Sequence, residues 1–315
     1  MSQLNGILLI DKPTGMTSHD VVARVRRILG TRAVGHCGTL DPLASGLMIL
    51  LIGQATKISD YLLLQAKTYE TTVQLGLTTD SFDVTGAETS RSDLQMDFVA
   101  VTTAVGELTG DLTLAVPVFS ATKVDGKKLY EYARSGQEVV LPVKIMSFFD
   151  VKVNDYSYPD VRLTLSCSKG SFIRAWAAEL GKRLGVGGCV KTLRRLQSYP
   201  WSVERAITLE ALQELKDSAN LKLDEKVWGT CFVPLAEALP HLKTIVADGW
   251  EQKLLKNGQI PHSLSTRLTF ELKQVHKQGE VLGIRVISTT DRALIAILQA
   301  IPGQGLKIRR VFPAV

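Results

Sequence analysis

One run of twelve residues concentrates much of the chemistry this chain has to offer: Gly35-His36-Cys37-Gly38-Thr39-Leu40-Asp41-Pro42-Leu43-Ala44-Ser45-Gly46. Its three glycines and its proline argue against a regular helix or a central strand. A single acid among them has two readings. Turn chemistry alone favours Gly, Pro and Asp. A backbone shaped around a reacting carboxylate has the same composition. Only an ionised carboxylate serves as nucleophile or base. A site that excludes water favours the neutral form of a carboxyl, and a nearby cation opposes that.

The elements around the run must position it. Gly6 to Ile10 reads as a buried strand, and Lys12-Pro13-Thr14-Gly15-Met16 as a turn. Thr17 or Ser18 caps a helix carrying Val21, Val22, Val25, Ile28 and Leu29 at helical spacing, and Gly30 ends it. A second helix is expected over Gln54 to Leu64, so the run should lie between two helices. Strands follow at Thr68–Leu75, Val116–Val124, Ile145–Val153, Val161–Cys167 and Val190–Leu196. Helices are expected at Phe98–Leu108, Lys127–Arg134, Phe172–Leu184 and Thr208–Leu215, and a polar turn at 80–86. Without a βαβ rhythm the class is α+β, a mixed or antiparallel sheet flanked by helices. Beyond Pro240 comes a helix at Gly249–Lys256, then strand-like runs at Leu268–Val275, Val281–Ser288, Ala293–Leu298 and Lys307–Phe312. The expected division is 1–240 and a small β-rich module, 241–315.

With 315 residues, 45% of them hydrophobic, the chain can build about two domains. Residues 1–240 hold 26 basic and 26 acidic residues; 241–315 hold 11 and 5, the whole of the +6 surplus. A neutral body with a basic tail suits a polyanionic partner. The four cysteines form no CxxC, the five histidines no HxH or HExxH, and no P-loop is present, so neither a metal nor a cofactor is expected. No apolar run is long enough for a membrane span and Ile7–Ile10 is too short for a signal sequence, so a cytoplasmic protein is expected.

The twelve-residue run resembles the catalytic loop of the TruB family of tRNA pseudouridine synthases, whose fold the α+β reading fits. The resemblance implies that Asp41 is catalytic and acts first on the sugar or the base of a uridine. Cys167-Ser168-Lys169-Gly170-Ser171-Phe172-Ile173-Arg174 resembles the family's second motif and makes Arg174 the partner of Asp41. The family commonly has tyrosine where this chain has Phe172, so a bond from that hydroxyl is absent here. Lys67-Thr68-Tyr69 resembles the segment whose tyrosine stacks on the target base, and Lys191-Thr192-Leu193-Arg194-Arg195-Leu196 the one whose leucine lines the uracil pocket. His36 is then an RNA contact. Lys123, Lys127, Lys128 and Arg134, with Arg194 and Arg195, are candidate phosphate contacts. Residues 241–315 resemble, loosely, a PUA domain. The implied activity is conversion of uridine 55 in the tRNA T stem-loop to pseudouridine by a monomer acting on a flipped base. Two alternatives stay open: a guide-RNA-dependent synthase of the dyskerin type, and a tRNA-binding folding chaperone without catalysis.

Overall fold

The buried apolar runs assemble into one large sheet and one small one. The computed structural model describes residues 4–218 and 228–313. In chain order the first elements are β1 (Gly6–Lys12), α1 (Ser18–Leu29), β2 (Val34–Cys37), β3 (Ser45–Ile52), α2 (Ser59–Leu63), β4 (Lys67–Leu75), β5 (Leu77–Thr79), β6 (Glu88–Arg91), α3 (Phe98–Glu107) and β7 (Gly110–Ala115). Next come β8 (Lys123–Val124), β9 (Lys127–Lys128), α4 (Leu129–Arg134), β10 (Val143–Ser157), β11 (Asp160–Cys167), α5 (Ile173–Arg183), β12 (Gly188–Ser198), β13 (Trp201–Ser202), α6 (Leu209–Ser218) and β14 (Phe232–Pro234). The last are β15 (Lys243–Ala247), α7 (Gly249–Lys256), α8 (His262–Arg267), α9 (Thr269–Gln278), β16 (Leu282–Ser288), β17 (Leu294–Ile301) and β18 (Gly305–Val311).

The large sheet runs β14-β1-β3-β12-β4-β11-β10-β7, with β2 on β3 and β13 on β12. Its pairings are antiparallel except β3 with β12. That parallel pair sets Arg194 and Arg195 beside Ser45 and Gly46 and so brings the basic strand to the foot of the glycine-rich loop. Helix α1 forms where its valines predict. Thr17 and Asp20 close a capping box, Val21, Val22, Val25 and Ile28 are buried, and Gly30 stops the helix at φ 62°. Helix α5 packs Trp176, Ala177 and Leu180 into a core shared with β4, β10, β11 and α3.

Several expectations are corrected. The twelve-residue run lies between strands, not helices. It starts within β2 and ends within β3, because Leu47 to Ile52 is a continuous buried apolar run suited to a central strand. The helix expected at Gln54–Leu64 is a 3-10 turn, Gly53–Ile58, followed by the short α2. The strand expected over Val116–Val124 is irregular until β8. Leu268–Val275 falls almost wholly within helix α9, since Leu268, Leu272 and Val275 recur at helical spacing and face one core. The small module is therefore a four-stranded sheet, β15-β16-β17-β18, with three helices against it. Its other face is not free. Ile287, Leu294, Ile297 and Phe312 share a core with Ile7, Leu9, Leu47 and Ile49 of the large sheet.

Candidate active site

Three anchors shape the loop that carries Asp41. Pro42 follows Asp41 into a turn closed by Ala44 N–H on the Asp41 carbonyl at 3.1 Å, and the Pro42 carbonyl accepts from Gly15 N–H at 2.8 Å. The buried Ser18 hydroxyl, at the start of α1, accepts from Leu40 N–H at 2.9 Å. On the far side Arg195 donates to the carbonyls of Leu47, at 2.6 Å, and Gly38, at 3.3 Å. The glycines follow from this crowding. At Gly46, with φ +97°, an added Cβ would stand 2.3 Å from the Arg195 carbonyl oxygen. Lys12 supports the same corner. Fully buried, it donates to Pro13 O at 2.9 Å and Met16 O at 2.7 Å, and burial draws its amine down to about 8 against the opposing pull of Asp41.

Arg174, one residue into α5, reaches Asp41 with its Nε 2.9 Å from Oδ2. Its side chain is 5% exposed, that of Asp41 37%. The other two nitrogens are fixed from different segments: Nη1 donates to Ser81 O and Nη2 to Phe119 O, each at 2.8 Å. Asp83 Oδ2 lies 3.8 Å from Nη1, and Asp83 is itself held by Ser81 and Thr85. A planar fork with several donors suits such a junction. The bridge engages Oδ2 of Asp41, and Asp41 lines the cleft. Cys37, also in the loop, is buried: burial pushes its thiol up to about 11, and its Sγ donates to Ser59 O.

The cleft has a volume of about 320 Å³, and its walls bring together Asp41, Arg174, Tyr69, Phe172 and Leu193, with Ser120. That volume lies at the small end of ligand sites. Tyr69 on β4 stands opposite Arg195 on β12, and burial raises its phenol above the ordinary value. Four of the expected residues thus join Asp41. His36 does not line this cleft. It sits in β2, edge-on to His19 with ring centroids 5.9 Å apart, and burial, then the charges of His19 and Arg195, lower its pKa.

The remaining expected contacts divide. Lys123, Lys127, Lys128 and Arg134 occupy the β8–β9 hairpin and α4, and the segment leading into them, 120–122, lines the cleft. Lys127 lies over Tyr132, and Lys128 and Arg134 over Tyr130. Arg194 grips Asp11 with two bonds, 3.0 and 2.7 Å, so its charge is already paired. Arg195 corrects the sequence expectation. At 1% exposure, with its donors on the carbonyls of Leu47 in β3 and Gly38 in the loop and on the Tyr69 side chain, it braces the Asp41 loop from the core and is not placed to meet a phosphate. Sequence reading passed over Asp83, taken as part of a polar turn, and the carbonyls of Ser81 and Phe119; clustered Asp, Ser and Thr at 80–85 was the available signal.

The fold is shared with solved structures. The structure described as "Structure of H/ACA RNP bound to a substrate RNA containing 2'-deoxyuridine" superposes with a TM-score of 0.71 at 19% identity, covering 98% of this chain and 85% of that one. "Crystal Structure of a Cbf5-Nop10-Gar1 Complex" gives 0.70 at 21%, covering 98% and 85%. Sequence gives the class. Residues 26–173 match the TruB family pseudouridylate synthase N-terminal domain, and 174–240 the tRNA pseudouridylate synthase B C-terminal domain. The tRNA pseudouridine synthase B of Bdellovibrio bacteriovorus is 43% identical over 99% of this chain and 98% of its own length, and that of Geobacter sulfurreducens 35% over 98% and 100%. The chain belongs to the TruB family of pseudouridylate synthases and is an enzyme of the isomerase class.

Proposed function

We propose that this protein converts uridine 55 in the T stem-loop of tRNA to pseudouridine, with Asp41 as the initiating group. The observation that carries the reading is the Asp41–Arg174 bridge at a cleft walled by Tyr69, Leu193 and Phe172. The reaction breaks the bond between C1′ and N1, turns the uracil, and joins C5 to C1′. A proton leaves C5 and one is gained at N1, so the change is an isomerisation and calls for no redox cofactor. A carboxylate can attack the sugar or act on the base. Arg174 holds Asp41 aimed through the ion pair at 2.9 Å. A uridine within folded RNA must leave its stack to enter the cleft. Tyr69 offers the ring face for the extruded base and Leu193 the apolar wall. Phe172 adds a second ring without a hydroxyl.

RNA is held from outside the cleft. The β8–β9 and α4 segment offers Lys123, Lys127, Lys128 and Arg134 beside aromatic rings. In the module from 241 onward, read as an RNA-binding PUA-like domain, Lys253, Lys256, Lys273 and Lys277 are exposed. Lys243, Arg267 and Arg310 there are engaged with Glu271, Glu251 and Asp60. The enzyme is read as a stand-alone cytoplasmic monomer. The test is a site-mapped pseudouridine assay on one unmodified tRNA transcript, with no guide RNA added. Product at position 55 alone is expected. Product that appears only with a guide RNA supports the dyskerin-type alternative, and tight binding with no product the chaperone.

A further inference from the structure

Ser120 lies in the segment between β7 and β8 that closes one side of the Asp41 cleft. Its backbone is fixed at both ends: its N–H donates to Val118 O at 2.9 Å, and its carbonyl accepts from Tyr130 N–H at 3.1 Å. The neighbouring Phe119 carbonyl accepts from Arg174. The residue is 6% exposed, and its hydroxyl oxygen is buried without a hydrogen-bond partner among the described residues. Five other buried polar atoms share that condition: His36 Nδ1, Gln54 Oε1, Asp160 Oδ1, Trp201 Nε1 and His241 Nδ1. None of those five residues lines this cleft; Ser120 does.

A buried hydroxyl without a partner destabilises the fold, and alanine would occupy the same place without that penalty. The cleft that Ser120 lines is the place from which a partner can come. We propose that Ser120 is a further active-site residue, whose Oγ hydrogen-bonds the target nucleotide once it occupies the space beside Asp41. This rests on the reading that the cleft receives a uridine. Because Ser120 and Arg174 are tied through adjacent residues, the hydroxyl is held in fixed register with the carboxylate. It therefore acts on the alignment of the bound nucleotide rather than on capture of the RNA.

The experiment compares wild type, Ser120→Ala and Ser120→Cys on a T stem-loop hairpin, with thermal unfolding measured on the same samples. Ser120→Ala should lose about tenfold in kcat, with KM little changed and the unfolding midpoint not lowered. Ser120→Cys restores bulk but brings only a weak donor, so it should stay near the alanine variant. Hairpins with 2′-deoxyuridine or 4-thiouridine at the target position then identify the partner atom. The analogue lacking that atom should be turned over equally by wild type and Ser120→Ala. Wild-type kcat in Ser120→Ala overturns the proposal. So does a lowered midpoint with activity rescued by Ser120→Cys, which marks a packing role. Additive defects with both analogues overturn it as well. Asp41→Asn in the same assay separates the two levels: if it is fully active the reading of the cleft fails, and if it is inactive beside a fully active Ser120→Ala, the Ser120 proposal alone falls.

Discussion

Replacing Arg174 with methionine keeps most of the side chain's bulk and removes every donor. The ion pair to Asp41 at 2.9 Å and the bonds to Ser81 O and Phe119 O at 2.8 Å are lost together. Asp83, with a side chain 7% exposed, loses its nearest cation but keeps Ser81 and Thr85 as donors. Breaking a buried pair typically destabilises by about 3–5 kcal/mol. Asp41 is more than a third exposed, so water screens part of its share and the lower end applies. Orphaning the Ser81 and Phe119 carbonyls adds to this, so the total should be about 3–5 kcal/mol or more. That is a large part of the stability of an ordinary domain. Urea unfolding followed by tryptophan fluorescence reads it, since Trp176 lies two residues along α5 and is fully buried. Turnover should fall further, by about a hundredfold or more, because the carboxylate is no longer aimed. Arg174→Lys restores charge but cannot span three acceptors, so it should recover stability only in part and turnover little. Methionine-variant stability within about 1 kcal/mol of wild type, with turnover within about tenfold, would refute the claim that Arg174 organises the site.

Tyr69→Phe should retain most turnover, while Tyr69→Leu should lose roughly ten- to hundredfold from the missing stacking surface; equal turnover in the two variants would show that no ring face is used. Arg195→Met should unfold at lower urea than wild type and leave the salt dependence of tRNA binding unchanged, whereas replacing Lys253 and Lys256 by alanine should lower that slope by about two. A slope reduced in Arg195→Met would restore its phosphate role, and an unaltered slope in the lysine pair would remove that surface from the RNA contact. Lys12 predicts a pH effect on stability. Its amine is drawn to about 8 in the fold but titrates near 10.5 when unfolded, so between these values the unfolded chain binds more protons and this group favours the native state as pH rises. The stability of wild type relative to Lys12→Met should therefore climb by on the order of 3 kcal/mol across that window, and a flat difference would show that burial does not hold the Lys12 amine below its unfolded value.

The parts of this account that the sequence made legible are local ones. Thr17, the spaced valines and Gly30 define α1 by capping and periodicity, which depend on near neighbours. The pairing of Asp41 with Arg174 was readable because two short motifs carry the two residues. What otherwise joins residues far apart in the chain was not. Arg195 sits beside Arg194 in sequence, yet strand alternation turns one to Asp11 at the surface and the other into the core beneath Gly38. The basic tail looked separable at Pro240. Phe312 and Ile297 instead complete the core over Ile7 and Leu9, so cutting there would bare apolar surface of the large sheet as well as remove charge. Leu268 to Val275 shows a weaker failing, in which a short apolar run was given the strand period although its spacing was helical.

The central claim is that the carboxylate of Asp41 starts the reaction in the cleft it shares with Arg174. Asp41→Asn preserves the shape and removes the charge. The decisive measurement is single-turnover pseudouridine formation at position 55 of an unmodified tRNA transcript by this variant, with RNA affinity measured in parallel. The account predicts affinity close to wild type and almost no product. Product formation within tenfold of wild type would contradict it.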